Sequence, residues 1–257
     1  MEFIKYEKKG RVAFVTINRP EVMNALHPPA NLELSQAWDD FQQDADAWVA
    51  IVTGAGEKAF CAGNDLKYSA QHGMGAVTMG SGGFGGITAR FDLFKPVIAA
   101  VNGLALGGGF EIALAADIIV AADHARFGLP EPKVGLAALA GGMHRLPRQM
   151  PLKIAMGLML TGRHFSAEEA TRWGLVNECV PVSQLMSTAE RWANEILECS
   201  PLSVRATKET AMSGLGSSVQ EALGRSYPLT GALFRSEDMM EGVTAFAQKR
   251  KPQWKGR

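Results

Sequence analysis

Three short runs of β-branched and small apolar residues constrain this chain more than any other feature: VAIVTG (residues 49–54), PVIAAV (96–101) and DIIVAAD (117–123). Each is bounded by Gly, Pro or Asp and reads as a buried strand. Helical stretches alternate with them. Parallel strands require crossover connections of that kind, so the pattern predicts an α/β domain.

The flanking segments fit that frame. FIKYEKKGRVAFVTIN (residues 3–18) holds two alternating runs around Lys9-Gly10, the pattern of a hairpin with one buried face. Leu34, Trp38, Phe41, Ala45 and Trp48 recur at spacings of four and three, which predicts one helix face running through Trp48. From about residue 165 the pattern turns helical. Ser166 and Glu169 have capping-box spacing, with Gly174 as a left-handed stop. A further helix is expected through Leu185, Ala189, Trp192 and Ile196. Ser200-Pro201 and Ser236 read as helix starts. The expected division is a core over residues 1–195 and a helical region over 196–257. No repeat of solenoid period is present.

Bulk properties narrow the function classes. With 257 residues the chain can bury a large core without staples. Its 26 basic and 26 acidic residues cancel, so no global field draws nucleic acid or an anionic membrane. Three cysteines, Cys61, Cys179 and Cys199, suit a reducing compartment better than a disulfide framework, and a cytoplasmic location is expected. MEFIKYEKKG alternates apolar and charged residues, like a strand and unlike a signal peptide. No apolar run is long enough to span a bilayer.

Residues 73–86, GMGAVTMGSGGFGG, contain seven glycines and no charge. Such a stretch can hardly form a regular element. It could be a lid over a pocket or an ordinary flexible surface loop, and composition alone favours the loop. Within it GSGGFG satisfies the G-x-G-x-x-G pattern, but no apolar strand leads into it, so dinucleotide binding is rejected. The histidines at 27, 72, 124, 144 and 164 show no metal-ligand spacing, and no zinc site is expected. There is no G-x-S-x-G elbow.

One carboxylate does stand out. In ALGGGFEIALAAD (residues 105–117), Glu111 lies in what reads as the first turn of a buried helix, after the run Gly107 to Gly109. Free N–H groups at such a start can form an oxyanion hole, with the helix dipole favouring negative charge there. A glutamate at that position also simply complements the dipole, and its position alone is explained by that. Glu131 follows 20 residues later between two prolines, room for one helix and one strand to carry the chain out and back. The two carboxylates could therefore face each other, although spacing alone predicts an exposed Glu131.

Five blocks, NRPEVMNAL, AFCAGNDLK, KPVIAAVNGLALGGGFEIALAAD, FGLPEPKVGL and AFAQKRKPQWK, occur in this order. Together they resemble the enoyl-CoA hydratase/isomerase (crotonase) superfamily from the first hairpin to the C-terminus. The glycine-rich segment and the ending PQWKGR look most like its carnitinyl-CoA dehydratase branch, which runs the same chemistry in reverse on a trimethylammonium substrate. The resemblance implies a crotonase-type spiral of ββα units with a C-terminal helical region. It also implies a homotrimer or a dimer of trimers.

For the site, the resemblance implies an oxyanion hole from the backbone N–H groups of Asn64 and Gly108, with Glu111 and Glu131 as the catalytic acids. Two glutamates favour hydration over isomerisation, since water must be activated at C3 and a proton delivered to C2. Glu111 is then expected to act on the water and Glu131 to supply the proton. Coenzyme A is expected along Val22, Met23 and Ala62, with Lys67 near its phosphates and Phe246 and Lys249 supplied by a neighbouring subunit. Core packing is the plain alternative for Val22 and Met23, and a solvated basic tail for Lys249. No metal or redox cofactor is implied; CoA enters on the substrate.

Two departures matter. Glu21 stands where relatives often carry a basic residue, and Ala138-Leu139 where they often have Pro-Gly or Pro-Asp. Leu139 is expected to make the acyl pocket bulkier and less polar, which favours an apolar or branched acyl chain over carnitinyl-CoA. Reversible hydration of a 2-enoyl-CoA is the leading expectation. The alternatives are isomerisation, thioester hydrolysis, a specialised dehydration, or a non-catalytic acyl-CoA- or RNA-binding relative. The two glutamates argue against a dead scaffold, and zero net charge argues against RNA.

Overall fold

The β-branched runs become neighbouring parallel strands. In the computed structural model, which describes residues 1–73 and 80–257, VAIVTG forms β3 (Val49–Gly54) beside β5 (Val97–Val101), which in turn pairs with β7 (Ile118–Ala122). Before them β1 (Ile4–Lys9) and β2 (Val12–Ile17) make the expected hairpin, with Lys9 paired to Val12 and Gly10 at φ +58° in the turn. With β10 (Glu178–Val180) the first sheet runs β1-β2-β3-β5-β7-β10, parallel except for the hairpin. A second, smaller sheet has the order β4-β6-β8-β9, from β4 (Ala59–Cys61), β6 (Leu104–Leu106), β8 (Arg126–Gly128) and β9 (Phe165–Ser166).

The chain thus gives one strand to each sheet and then a helix, turn after turn. β3 and β4 lead to α2 (Leu66–His72), β5 and β6 to α3 (Gly108–Ala115), and β7 and β8 to α4 (Gly142–Gln149). This is the crotonase-type ββα spiral. Asn102 holds one corner where the chain changes sheets: its Oδ1 accepts from the Gly54 N–H at 3.1 Å and its amide donates to the Gly54 carbonyl at 2.9 Å.

Helix α1 (Pro28–Gln43) packs Leu34, Trp38 and Phe41 inward, all with no exposed surface. It stops short of Ala45 and Trp48, contrary to the spacing-based expectation. Asp44 leaves the helical region at ψ 103°, its Oδ1 accepts from the Asp46 N–H at 2.8 Å and its Oδ2 pairs with Lys8 at 2.5 Å. Trp48 instead lies at the entry to β3 under the Arg11 guanidinium, 4.1 Å from the ring centroid.

Helices α5 (Leu152–Thr161), α6 (Ala167–Arg172) and α7 (Leu185–Leu197) follow. The Ser166/Glu169 capping box forms, and Gly174 takes φ +76° as the stop. The expected boundary at residue 195 falls inside α7, which packs on β3, β5 and β7. Beyond it come α8 (Pro201–Gly214), α9 (Val219–Leu223), α10 (Pro228–Leu233) and α11 (Glu237–Ala247), with Ser200 and Ser236 as N-caps. The terminal residues fold back: buried Asp238 accepts from the N–H groups of Lys255 and Gly256, and Trp254 donates to the Glu198 carbonyl at 2.8 Å. Among the described residues no helix is long and apolar enough to cross a membrane.

The described end of the glycine-rich segment departs from the loop reading. Residues 74–79 of it lie outside the described residues, but Phe84–Gly86 form a buried 3₁₀ turn against α1 and α3. The Gly85 carbonyl accepts from Trp38 Nε1 at 2.9 Å, and its N–H donates to Asn31 Oδ1 at 2.8 Å. A Cβ on Gly86 would lie 2.5 Å from Ser35 Cα. These glycines serve close packing, where flexibility was the expectation from composition.

Candidate active site

Two backbone segments assemble the first half of the site. Residues 22–26 and 62–65 are zipped together: the Ala62 N–H donates to the Met23 carbonyl at 3.0 Å, Leu26 to Gly63 at 2.8 Å, and Asp65 to Leu26 at 3.0 Å. Because Leu26 uses the groups on either side of Asn64, the Asn64 N–H is turned to the opposite side, where it meets no acceptor among the described residues. Asp65 steadies the turn, capping α2 through the Tyr68 N–H and pairing with buried Arg19 at 3.2 Å. The Asn64 side chain itself bonds Ser69 Oγ at 2.9 Å.

Helix α3 brings the second amide. Gly107 at φ +54° turns the chain out of β6, so the Gly108 N–H heads the helix without an intrahelical acceptor. Gly63, at φ +92°, permits the approach: a Cβ there would sit 3.1 Å from the Gly108 nitrogen and 2.8 Å from the Leu106 carbonyl oxygen. Gly109 lets α3 lie directly on β4, since its Cβ would meet the Cys61 carbonyl oxygen at 1.9 Å. Two free amide hydrogens therefore converge beside the positive end of a helix dipole.

Both glutamates reach this place. Glu111 is 3% exposed, and its Oε1 accepts from the Gly142 N–H at 2.7 Å. Burial pushes its carboxyl up to about 7; the neighbouring Glu131 charge adds to the rise, while the Gly142 and Ala140 amides and the Arg145 charge oppose it. Glu131 opens a 3₁₀ turn (Glu131–Val134) after β8, and Gly135 at φ +71° ends it. The path from Glu111 runs through α3 and two strands, β7 and β8, one more strand than expected. Glu131 Oε1 lies 3.0 Å from where a Gly107 Cβ would stand, and its Oε2 is buried without a partner among the described residues. Burial raises this carboxyl as well. Spacing alone predicts an exposed Glu131; the turn instead directs it inward.

The whole length of the chain has relatives with this architecture. A profile of the enoyl-CoA hydratase/isomerase family matches residues 7–257. The chain belongs to the enoyl-CoA hydratase/isomerase family. It is 44% identical to a carnitinyl-CoA dehydratase of Salmonella arizonae, over 99% of each sequence, and 44% identical to one of Citrobacter koseri, over 100% of this chain and 99% of that one. Among solved structures, an enoyl-CoA hydratase of Mycobacterium tuberculosis superposes with a TM-score of 0.93 at 41% identity, covering 99% of both chains. These likenesses support the carnitinyl-CoA dehydratase branch of the crotonase superfamily.

Within this enoyl-CoA hydratase/isomerase family member the remaining expected positions separate. Val22 ends a 3₁₀ turn and Met23, left-handed at φ 56°, is 40% exposed, so Met23 is not core packing. Met23 adjoins Ala62, and Lys67 is exposed in the first turn of α2. Phe246, 87% exposed, and Lys249 lie at the end of α11 and stay on the surface of their own chain. Leu139 is 79% exposed; the residue packed beside Glu111 is Ala138, whose Cβ and the Glu111 Oε1 both lie 3.0 Å from where a Gly142 Cβ would be. In the turn before α4, Ala138 is buried and its neighbours Ala137 and Leu139 are exposed.

Three further residues escape the sequence reading. Gly142 supplies the amide that holds Glu111, Arg145 bears on the Glu111 charge from the same helix, and Phe84 packs on Gly108, whose Cβ would meet its ring at 2.4 Å. The doublet Gly141-Gly142 before MHRLPR was a signal of close approach, and so was one aromatic amid glycines.

Proposed function

We propose that this protein catalyses the reversible addition of water to a 2-enoyl-CoA thioester. The reading rests on one observation: buried Glu111 and half-buried Glu131, both with raised proton affinities, meet beside two backbone amides that have no acceptor among the described residues. The thioester oxygen would accept from the Asn64 and Gly108 N–H groups, which stabilise the enolate-like transition state more than the ground state. In hydration Glu111 takes a proton from water as it attacks C3, and Glu131 delivers one to C2. Dehydration reverses both transfers.

The pair needs one proton in total. Glu111 is the more deeply buried acid, which favours the microstate with that proton on Glu111 over the one with it on Glu131. That arrangement is already poised for dehydration, with Glu131 drawing the C2 proton and Glu111 protonating the departing hydroxyl. The likeness to carnitinyl-CoA dehydratases supports the same direction, on a 3-hydroxyacyl thioester. The steps are proton transfers and call for no metal or redox cofactor; coenzyme A enters as the acyl carrier. The CoA moiety is assigned to Val22, Met23, Ala62 and Lys67, with Phe246 and Lys249 from a neighbouring copy in a trimer or a dimer of trimers.

The test adds protein to short, branched, aromatic and carnitinyl 2-enoyl-CoA thioesters and follows the conjugated thioester absorbance. Loss of absorbance with no free thiol supports hydration, and its return from the 3-hydroxyacyl side supports reversal. Release of free CoA would replace the proposal by hydrolysis, and binding without turnover would replace it by a carrier role.

A further inference from the structure

Arg145 has no part in the proposed proton transfers, yet it is held close to them. It lies one turn into α4, three residues after Gly142, the donor to Glu111. Its Nη2 donates to the Thr88 carbonyl at 2.9 Å, and among the described residues it forms no ion pair. Gly141, at φ +103°, passes so close that its Cβ would be 2.2 Å from Arg145 Nη1, while the Cβ of the next residue, Gly142, would be 3.0 Å from Glu111 Oε1. The guanidinium and the carboxylate are therefore wrapped around two consecutive glycines.

The charges bearing on Glu111 are few. On α3 it is the sole charged residue, and neither β4, β6 nor the described part of the glycine-rich segment carries one. From the turn after β8 comes Glu131, which disfavours its ionisation; from α4 comes Arg145, which favours it, while His144 and Arg148 of the same helix are exposed. Among the described residues Arg145 is the cation that opposes both burial and the second carboxylate.

We propose that Arg145 is a positioning residue that sets the proton affinity of the glutamate pair through Glu111, keeping the pair able to give up its shared proton near neutral pH. A guanidinium suits the task because it stays charged when partly buried, and its bond to the Thr88 carbonyl holds the side chain in place. This inference rests on the proposed roles of Glu111 and Glu131, and its test separates the two.

The experiment compares wild type with Arg145→Gln, which can still donate to Thr88 but has no charge, and Arg145→Lys, which keeps the charge. Two readouts are taken: the pH profile of kcat/KM for hydration, and direct titration of Glu111 by carboxyl-carbon NMR, assigned with Glu111→Gln. In Arg145→Gln both the alkaline limb and the Glu111 titration should move upward by roughly one unit, the low end of what an opposite charge does. Arg145→Lys should stay near wild type. If the titration moves and the limb does not, Arg145 acts as inferred, and Glu111 is not the group whose proton governs turnover. If the titration does not move in folded Arg145→Gln, or moves equally in Arg145→Lys, the inference is overturned. Should the Gln variant not fold, Arg145→Met is read in the same way.

Discussion

The backbone N–H of Gly142 and the buried carboxylate of Glu111 form a 2.7 Å hydrogen bond that joins the start of one helix to the first turn of another. The donor sits at the positive end of α4, so the bond steadies the ionised carboxylate without adding another side chain. It also depends on glycine. A Cβ at 142 would stand 3.0 Å from Glu111 Oε1, Ala138 Cβ and Leu129 Cδ1 at once.

Gly142→Ala is therefore expected to displace the carboxylate rather than simply crowd the core. The stability cost should be about 1–3 kcal/mol, as for other overpacked sites. Misplacing a reacting group by a fraction of an ångström should lower kcat tenfold or more, with a smaller change in KM, roughly in line with a 10²-fold loss for a full 1 Å. Urea denaturation with steady-state hydration kinetics checks both, and an unchanged kcat in a destabilised variant would detach Gly142 from the chemistry.

Glu131→Gln should separate catalysis from stability. The amide cannot exchange a proton with C2, so kcat should fall by about 10²–10⁴-fold, the usual contribution of a positioned acid or base. The change also replaces a carboxyl whose charged form burial disfavours with a neutral amide of the same shape, so the variant should be no less stable than wild type at pH 7. Full hydration activity in a folded variant would refute the role given to Glu131.

Glu111 makes stability depend on pH in a definite sense. Its folded value of about 7 lies above the ordinary 4.5, so the folded state binds more protons between the two. Its contribution is at its best below about 4.5 and is lost as pH rises through 7. Glu111→Gln has no such slope. Relative to wild type the variant should gain on the order of 3 kcal/mol between pH 4.5 and 8, most of the free-energy equivalent of the shift. A pH-independent difference in denaturation free energy would show that the acid is not perturbed.

What could be foreseen from the chain follows from which interactions are local. The strands at 49–54, 97–101 and 118–122 are continuous apolar runs because both faces are covered, and the Ser166/Glu169 cap joins residues three apart. Both signals survive in a short window. The end of α1 does not, because it is set by Asp44 turning to Asp46 and to Lys8, 36 residues away, while Trp48 keeps a helical spacing by coincidence. Glu131 sits between prolines that read as surface, and only the turn ending at Gly135 sends it inward. In the fold the family resemblance carried what spacing could not, and at the site it left Gly142, Arg145 and Phe84 unseen.

Glycine itself was the least legible residue, since close packing and flexibility look alike in composition. Gly86 and Gly157 make the distinction measurable. At 86 a Cβ would lie 2.5 Å from Ser35 Cα and 2.7 Å from its nitrogen, backbone that cannot turn aside, and φ is +66°. At 157, inside α5, nothing lies within 4 Å. Gly86→Ala should therefore destabilise by several kcal/mol or prevent folding, combining a strained φ with an overpacked contact. Gly157→Ala should stabilise by up to about 1 kcal/mol through helix propensity and a less flexible unfolded chain. Thermal unfolding of the two variants gives opposite signs if the segment around Phe84 is a packed wall; a Gly86→Ala variant as stable as wild type would mean that the segment yields like a surface loop.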